Sequence, residues 1–332
     1  MAARMLTRLR ALRTAGDETS HQLLNPSQGR KNLLPIALAF SSWAFDFRCY
    51  SNATRPRSSE PSSRKETPVS LNEARTCSIC GDRVSMRSSL DPAELARFSA
   101  IAETWWDAEG PYKPLHALNP TRLAFIRSTL CHNFRKDPHS ARPFEGLKFV
   151  DVGCGGGILS EPLARMGAVV TGIDAVDKNI QIARLHAESD PATPTIEYLC
   201  TTAEKLVEEE RQFDAVLALE VIEHVADPAE FCKSLGALTA ANGATLVSSV
   251  NRTLRGYATA VVAAEYILNW LPKGTHEWTK FLTPEELVLI LQRASVTVEE
   301  MAGFVYNPLS GKWLLSDDIS VNYIAFGSKH AQ

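Results

Sequence analysis

The sequence predicts a doubly wound α/β domain with a mostly parallel sheet, and three observations predict it. Short apolar or β-branched runs alternate with helical stretches from Leu147 onward. The first of these runs empties into the glycine cluster Gly153-Cys154-Gly155-Gly156-Gly157, and the second ends on an acid, Asp174. Runs that read as buried on both faces, with helices between them, are what a parallel sheet requires. Sheets of this kind bind ligands at the carboxyl edge of their strands.

Strands are expected at Leu147–Val152, Ala168–Ile173, Thr195–Cys200, Phe213–Leu219 and Ala244–Val250, with Val296–Met301 and Val321–Phe326 as late strands. Helices are expected at Leu159–Met166 and Ile180–His186. Three helix starts share one grammar: Asp91-Pro92-Ala93-Glu94, Asp227-Pro228-Ala229-Glu230 and Thr283-Pro284-Glu285-Glu286. Each offers a side-chain oxygen at the N-cap, proline at the first helical position and an acid two residues after it. The folded body is therefore expected to begin near Asp91.

Charge divides the chain in two. Residues 1–88 carry a net +7 and the remainder a net −10, which argues against nucleic acid as a partner of the body. Arg4, Arg8, Arg10 and Arg13 precede the first acid, Asp17, and alternate with Met5, Leu6, Leu9 and Leu12. This basic amphipathic pattern is the physical form of a mitochondrial transit peptide. Ser51–Arg87 is rich in Ser, Arg and Pro and reads as a disordered leader. The domain reading is thus a transit peptide and leader over 1–88 and a folded body over 89–332. The seven cysteines are odd in number and scattered, so no disulfide framework is expected. Cys77 and Cys80 lack the second ligand pair that a tetrahedral zinc site needs.

In Phe149-Val150-Asp151-Val152 a buried strand runs into the glycine turn and then a helix. Glycines admit positive φ and close backbone approach to a ligand. A nicotinamide-binding turn would read G-x-G-x-x-G, but its third glycine position is Ile158 here. Asp151 would repel a pyrophosphate, whereas it can hold a network near the ammonium of a methionyl cofactor. Asp174 can accept from ribose hydroxyls, or serve as a turn residue. Thr202-Ala203-Glu204 is placed to border an adenine, although Glu204 also reads as a helix-start acid.

A second constellation closes the fourth strand: Glu220, Glu223 and His224 fall at i, i+3 and i+4, so one helical turn would aim all three the same way. Two carboxylates and an imidazole suit Mg²⁺, Mn²⁺ or Zn²⁺. The same spacing also fits an exposed first turn whose acids favour the helix dipole. A third feature is the apolar stretch at about 254–278, inserted where a short connection would suffice; it reads as a lid, an interfacial membrane element or a buried core helix.

Taken with Trp105-Trp106-Asp107, Lys113-Pro114-Leu115-His116, Asn119–Leu123, Ala264–Leu268, Pro272–His276 and Val321-Asn322-Tyr323, these segments resemble the ubiquinone-biosynthesis O-methyltransferases over about Ala96 to Phe326. The resemblance implies a class I S-adenosylmethionine (SAM)-dependent methyltransferase fold, with a seven-stranded, mostly parallel sheet and an N-terminal helical extension. It implies cofactor contacts at Arg122, Gly153, Asp174 and Leu219, and a divalent metal, Mg²⁺ foremost, on Glu220, Glu223 and His224. It further implies a polyprenylated catechol substrate, partner proteins of the same pathway, and a peripheral place on the matrix side of the mitochondrial inner membrane. The chemistry expected is methyl transfer from a sulfonium to a catechol oxygen; His116 or His276 could relay the proton, and each reads equally as structural. The cofactor half alone leaves C- or N-methylation, or a non-catalytic cofactor-binding scaffold, as alternatives.

Overall fold

The computed structural model describes residues 91–258, 278–307 and 309–330. The transit peptide and leader at 1–88, the Cys77/Cys80 pair, His276 and most of the 254–278 stretch lie outside the described residues. Among the described residues no helix is long and apolar enough to cross a membrane.

Two helices precede the sheet, α1 (Pro92–Ile101) and α2 (Lys113–Asn133). There follow β1 (Lys148–Val152), α3 (Ser160–Arg165), β2 (Val169–Asp174), α4 (Asp177–Ala187), β3 (Glu197–Cys200), α5 (Ala203–Glu208) and β4 (Phe213–Leu219). The chain continues through α6 (Pro228–Leu238), β5 (Thr239–Val250), α7 (Pro284–Arg293), β6 (Thr297–Asn307), β7 (Lys312–Ser316) and β8 (Asn322–Ser328). The sheet order is β3-β2-β1-β4-β5-β8-β6-β7. Strands β1 to β5 pair in parallel, and β8, β6 and β7 add on antiparallel. Among the described residues the sheet has eight strands where seven were expected, because the chain after β6 folds back as β7 and pairs over Gly303–Asn307. Its short sequence, Lys-Trp-Leu-Leu-Ser, is exposed or half-buried and carries little core pattern.

Alternation along each strand divides the core into two layers. Phe149, Leu217 and Leu246 face α2, α3 and α4, meeting Phe125, Leu163 and Ile180. Val150, Val216 and Val247 face α5, α6 and α7, meeting Leu206, Leu235 and Leu287. Burial on both faces accounts for the continuous apolar runs. The order reverses direction between β1 and β4, which opens the crevice where such sheets bind ligands.

All three expected caps form. The Asp91 carboxylate accepts from Ala93 N, and that of Asp227 accepts from Ala229 N and Glu230 N. Thr283 and Glu286 make a reciprocal capping box, with Thr283 Oγ1 accepting at 3.3 Å and Glu286 Oε2 at 2.9 Å. Replacing Thr283 with alanine is expected to cost about 1 kcal/mol of folding stability, read from urea unfolding, with no effect on ligand binding.

Candidate active site

The glycine turn leaves β1 with positive φ at Gly153 and at Gly155, where φ is +54°. The turn is held closed by Asp174 at the end of β2. Asp174 Oδ2 accepts from Gly155 N at 3.0 Å, while Oδ1 accepts from Val176 N and from Asn179 Nδ2. The segment between α1 and α2 lies across the turn. A Cβ on Gly155 would overlap the six-membered ring of Trp105, and one on Gly156 would stand 2.5 Å from Trp105 Cβ. Trp105 stacks on Tyr112 with ring centroids 3.6 Å apart and donates from Nε1 to Asn179 Oδ1. Trp106 donates to Gly156 O and stacks on His186. His116 Nε2 lies 2.8 Å from Trp105 O, so the backbone orients this imidazole.

Asp151 sits behind the turn, buried, and accepts from Ser160 Oγ at 2.6 Å. Burial raises its pKa to about 7, opposed by the Ser160 bond and the Arg122 charge. Between pH of about 4 and about 7 the folded chain keeps a proton that the unfolded chain has released. Stability from this group therefore falls as pH rises through that window and then levels off. Asp151→Asn is expected to gain stability relative to the parent by a few kcal/mol (roughly 1.4 per pKa unit) between pH 5 and pH 8, measured by urea unfolding without ligand.

A cavity of about 620 Å³ opens at the sheet edge. Its walls include Gly153, Asp174, Leu219, Glu220, Glu223 and His224, so six of the seven expected site residues converge there. Thr202, Ala203 and Glu204, expected near an adenine, also line it. An apolar wall continues through Leu115, Phe304, Tyr306 and Trp313. Arg122 stands behind this surface, 5% exposed, with Nη2 3.1 Å from Glu220 Oε1. Among the described residues Nε has no hydrogen-bond partner, and Nη2 has the Glu220 ion pair but no well-aligned hydrogen bond. A buried guanidinium with unsatisfied donors is suited to a carboxylate.

The acid–acid–imidazole constellation is not one helical turn. Glu220 has φ +57°, and only Ile222–His224 form a 3₁₀ turn after it. This left-handed residue is a strained conformation of the kind found at functional sites. Each side chain has a protein partner. Ser248 Oγ donates to Glu220 Oε1 at 2.7 Å, and Ser249 Oγ donates to Glu223 Oε2 at 3.2 Å. His224 Nδ1 lies 3.2 Å from Glu94 Oε2. Among the described residues no group of three His, Cys, Asp or Glu side chains is arranged to hold a metal ion. The three expected donors thus share one cavity wall, each with a protein partner, and among the described residues they are not gathered around a single point. One observation favours a cation: Glu223 is 2% exposed, and its Oε1 has no hydrogen-bond partner among the described residues. Burial, and then the Glu220 charge, push its carboxyl up to about 7.

Three contributors escaped the sequence reading. Ser248 and Ser249 follow Leu246-Val247 near the carboxyl end of β5, a pair of hydroxyls at the ligand edge that was a usable signal. Glu94 reads in sequence only as a helix-start acid, and nothing local announces its contact 130 residues away. The His224 hydrogen bond and charge, the Lys280 hydrogen bond and the Arg97 charge hold its carboxyl at about 2 against the cost of burial.

A mostly parallel sheet with a glycine turn, an acid ending β2 and an open crevice at the switch point fits a class I SAM-dependent methyltransferase, and the comparisons show that class. A family described as "Methyltransferase domain" matches residues 150–247. The chain is 74% identical over 245 residues to the mitochondrial ubiquinone biosynthesis O-methyltransferase of Arabidopsis thaliana, covering 74% of this chain and 76% of that one. It is 48% identical over 243 residues to the ubiquinone biosynthesis O-methyltransferase of Parvibaculum lavamentivorans, covering 73% of this chain and 95% of that one. The magnesium protoporphyrin IX methyltransferase of Synechocystis PCC 6803, solved with bound SAH, matches with a TM-score of 0.50 at 17% identity, over 70% of this chain and 94% of that one. That likeness shows the fold. The chain belongs to the ubiquinone biosynthesis O-methyltransferase family, and it is a SAM-dependent O-methyltransferase.

Proposed function

We propose that the chain transfers a methyl group from SAM to catechol hydroxyls of polyprenylated ubiquinone precursors, 3,4-dihydroxy-5-polyprenylbenzoate and 3-demethylubiquinol. The observation that carries this is the sheet-edge cavity, in which cofactor-side residues Gly153 and Asp174 share walls with three metal-type donors and an apolar surface. Arg122 would take the donor's carboxylate and Asp174 its ribose hydroxyls, while Leu219 packs beside it at the end of β4. Trp105 and Tyr112 would cover the glycine turn and exclude water from the transfer. The apolar wall of Leu115, Phe304, Tyr306 and Trp313 would accept the lipophilic side of the substrate.

A catechol hydroxyl, with a pKa near 10, is mostly protonated at neutral pH. Glu220, Glu223 and His224 would hold a divalent cation, Mg²⁺ foremost, once Glu220 leaves Arg122. Bound there, such a cation stabilises the phenolate as a Lewis acid. The chain's own contribution is to bring the oxygen into line with the methyl group. The lone oxygen of Glu223 and the exchange open to Glu220 between Arg122 and a cation support this assignment.

The further placements belong to the same proposal. The leader at 1–88 directs the body at 89–332 to mitochondria, where the 254–278 insertion meets the inner membrane from the matrix side. Other proteins of the pathway would work beside it there.

The test is to incubate the purified chain with methyl-labelled SAM and a short-prenyl 3,4-dihydroxybenzoate, then fragment the product by mass spectrometry. The label is expected on oxygen, with the yield rising on addition of Mg²⁺ and losing that dependence in Glu223→Gln. Label on a ring carbon, or no product, would refute the reading; unchanged metal dependence in the variant would refute the metal assignment.

A further inference from the structure

The feature left unused by the reading above is the grip of the N-terminal helix on His224. Two α1 residues one turn apart hold the imidazole. Glu94 Oε2 lies 3.2 Å from Nδ1, and the Phe98 ring stands edge-on to the imidazole with centroids 5.0 Å apart. Glu94 is 5% exposed, and it lines the same cavity as His224. Its other oxygen, Oε1, accepts from Lys280 Nζ at 3.2 Å, and Lys280 also reaches Asp91 Oδ2 at 2.8 Å. The cap residue and the first-turn acid of α1 are thus tied to the same ammonium, while Arg97 Nη1 lies 3.4 Å from both Glu94 oxygens and gives the carboxylate a second cationic partner.

A carboxylate is acceptor-only, so a ring nitrogen facing it carries the proton. In a neutral imidazole that assignment leaves the lone pair on the other nitrogen. Partners of this kind orient metal-binding histidines and raise their basicity.

We propose that Glu94 is a positioning residue: it fixes His224 in the Nδ1–H tautomer, so that Nε2 is the electron-pair donor of a ring lining the cavity. The role of that nitrogen rests on the functional reading above, in which His224 holds a cation beside the acceptor oxygen. The tautomer itself does not. The N-terminal helical extension then belongs to the active site, since it supplies the group that decides which nitrogen of His224 can act. A purely structural Glu94 would serve α1 through Lys280 and leave the imidazole indifferent.

The two roles separate by experiment. Long-range proton–nitrogen correlation spectra of the full chain, assigned to His224 through His224→Gln, report which ring nitrogen is protonated. The wild type is expected to show Nδ1 protonated, in the absence of donor, catechol and metal. Glu94→Leu is expected to shift the ring toward Nε2–H and to weaken Mn²⁺ binding, followed by electron paramagnetic resonance, about 10- to 100-fold. Glu94→Gln, which keeps the size and an acceptor oxygen, should recover part of both and guards against loss of the fold. Lys280→Met should leave the tautomer unchanged. A wild-type ring protonated on Nε2, or a tautomer indifferent to Glu94→Leu and Glu94→Gln, would overturn the proposal. Failure of the wild type to bind Mn²⁺ would sink the metal reading while the nitrogen signals still decided the tautomer.

Discussion

Arg122→Ala is expected to weaken binding of SAM, and of its demethylated product, about 100-fold, with the chain still folded. The guanidinium is buried, two of its nitrogens lack hydrogen bonds among the described residues, and its partner Glu220 is partly exposed. A carboxylate entering beside it would satisfy those donors in a charge-assisted pair, and such bonds contribute about 1.5–3 kcal/mol each. A 100-fold loss corresponds to about 2.7 kcal/mol, so one such interaction accounts for it. The fold survives because Glu220 keeps its bond from Ser248. Arg122→Lys should restore little, since a point charge cannot offer the planar fork. Calorimetric titration checks this, and an affinity within threefold of wild type would remove Arg122 from the donor site.

The second large effect is expected at Gly155. With φ at +54° and the Trp105 ring where a side chain would begin, Gly155→Ala meets both backbone strain and a rigid aromatic neighbour. Trp105 is itself fixed by Tyr112 and Asn179, so it cannot swing aside freely. The expected cost is about 2–4 kcal/mol of stability, the sum of a left-handed non-glycine and local overpacking. Donor affinity should fall at least tenfold with it. Gly146→Ala is the control: φ is +81°, but nothing lies within 4 Å of the new Cβ. It should lose only about 1 kcal/mol for the backbone and leave donor binding intact. Equal losses in the two variants would show that Trp105 does not press on the turn.

These expectations draw on features that were unequally visible in the sequence. The parallel half of the sheet was legible because burial on both faces leaves uninterrupted apolar runs; Phe213–Leu219 coincides with β4 residue for residue. The three proline-marked helix starts were legible because capping is local chemistry. The long α2 was not marked, since Pro120 falls inside it and interrupts the helical signal; its Asn119 and Arg122 matter through contacts far along the chain. Strand β7 was missed because it exists only by pairing with β6.

The site divides in the same way. Glycine turn and Asp174 are properties of a short segment and were readable there. The spacing of Glu220, Glu223 and His224 suggested a helical turn, yet Glu220 takes a left-handed conformation, a choice tied to its bonds with Ser248 at the end of β5. The Glu94 contact with His224 depends on how α1 docks, which no local pattern encodes.

The central claim is that one cavity at the sheet edge accepts a sulfonium donor, and equilibrium binding tests it most directly. Titrating the purified full chain with S-adenosylhomocysteine should give saturable binding of one molecule per chain, competed by SAM and not by a nicotinamide dinucleotide. Absence of binding, or displacement by the dinucleotide, would contradict the account.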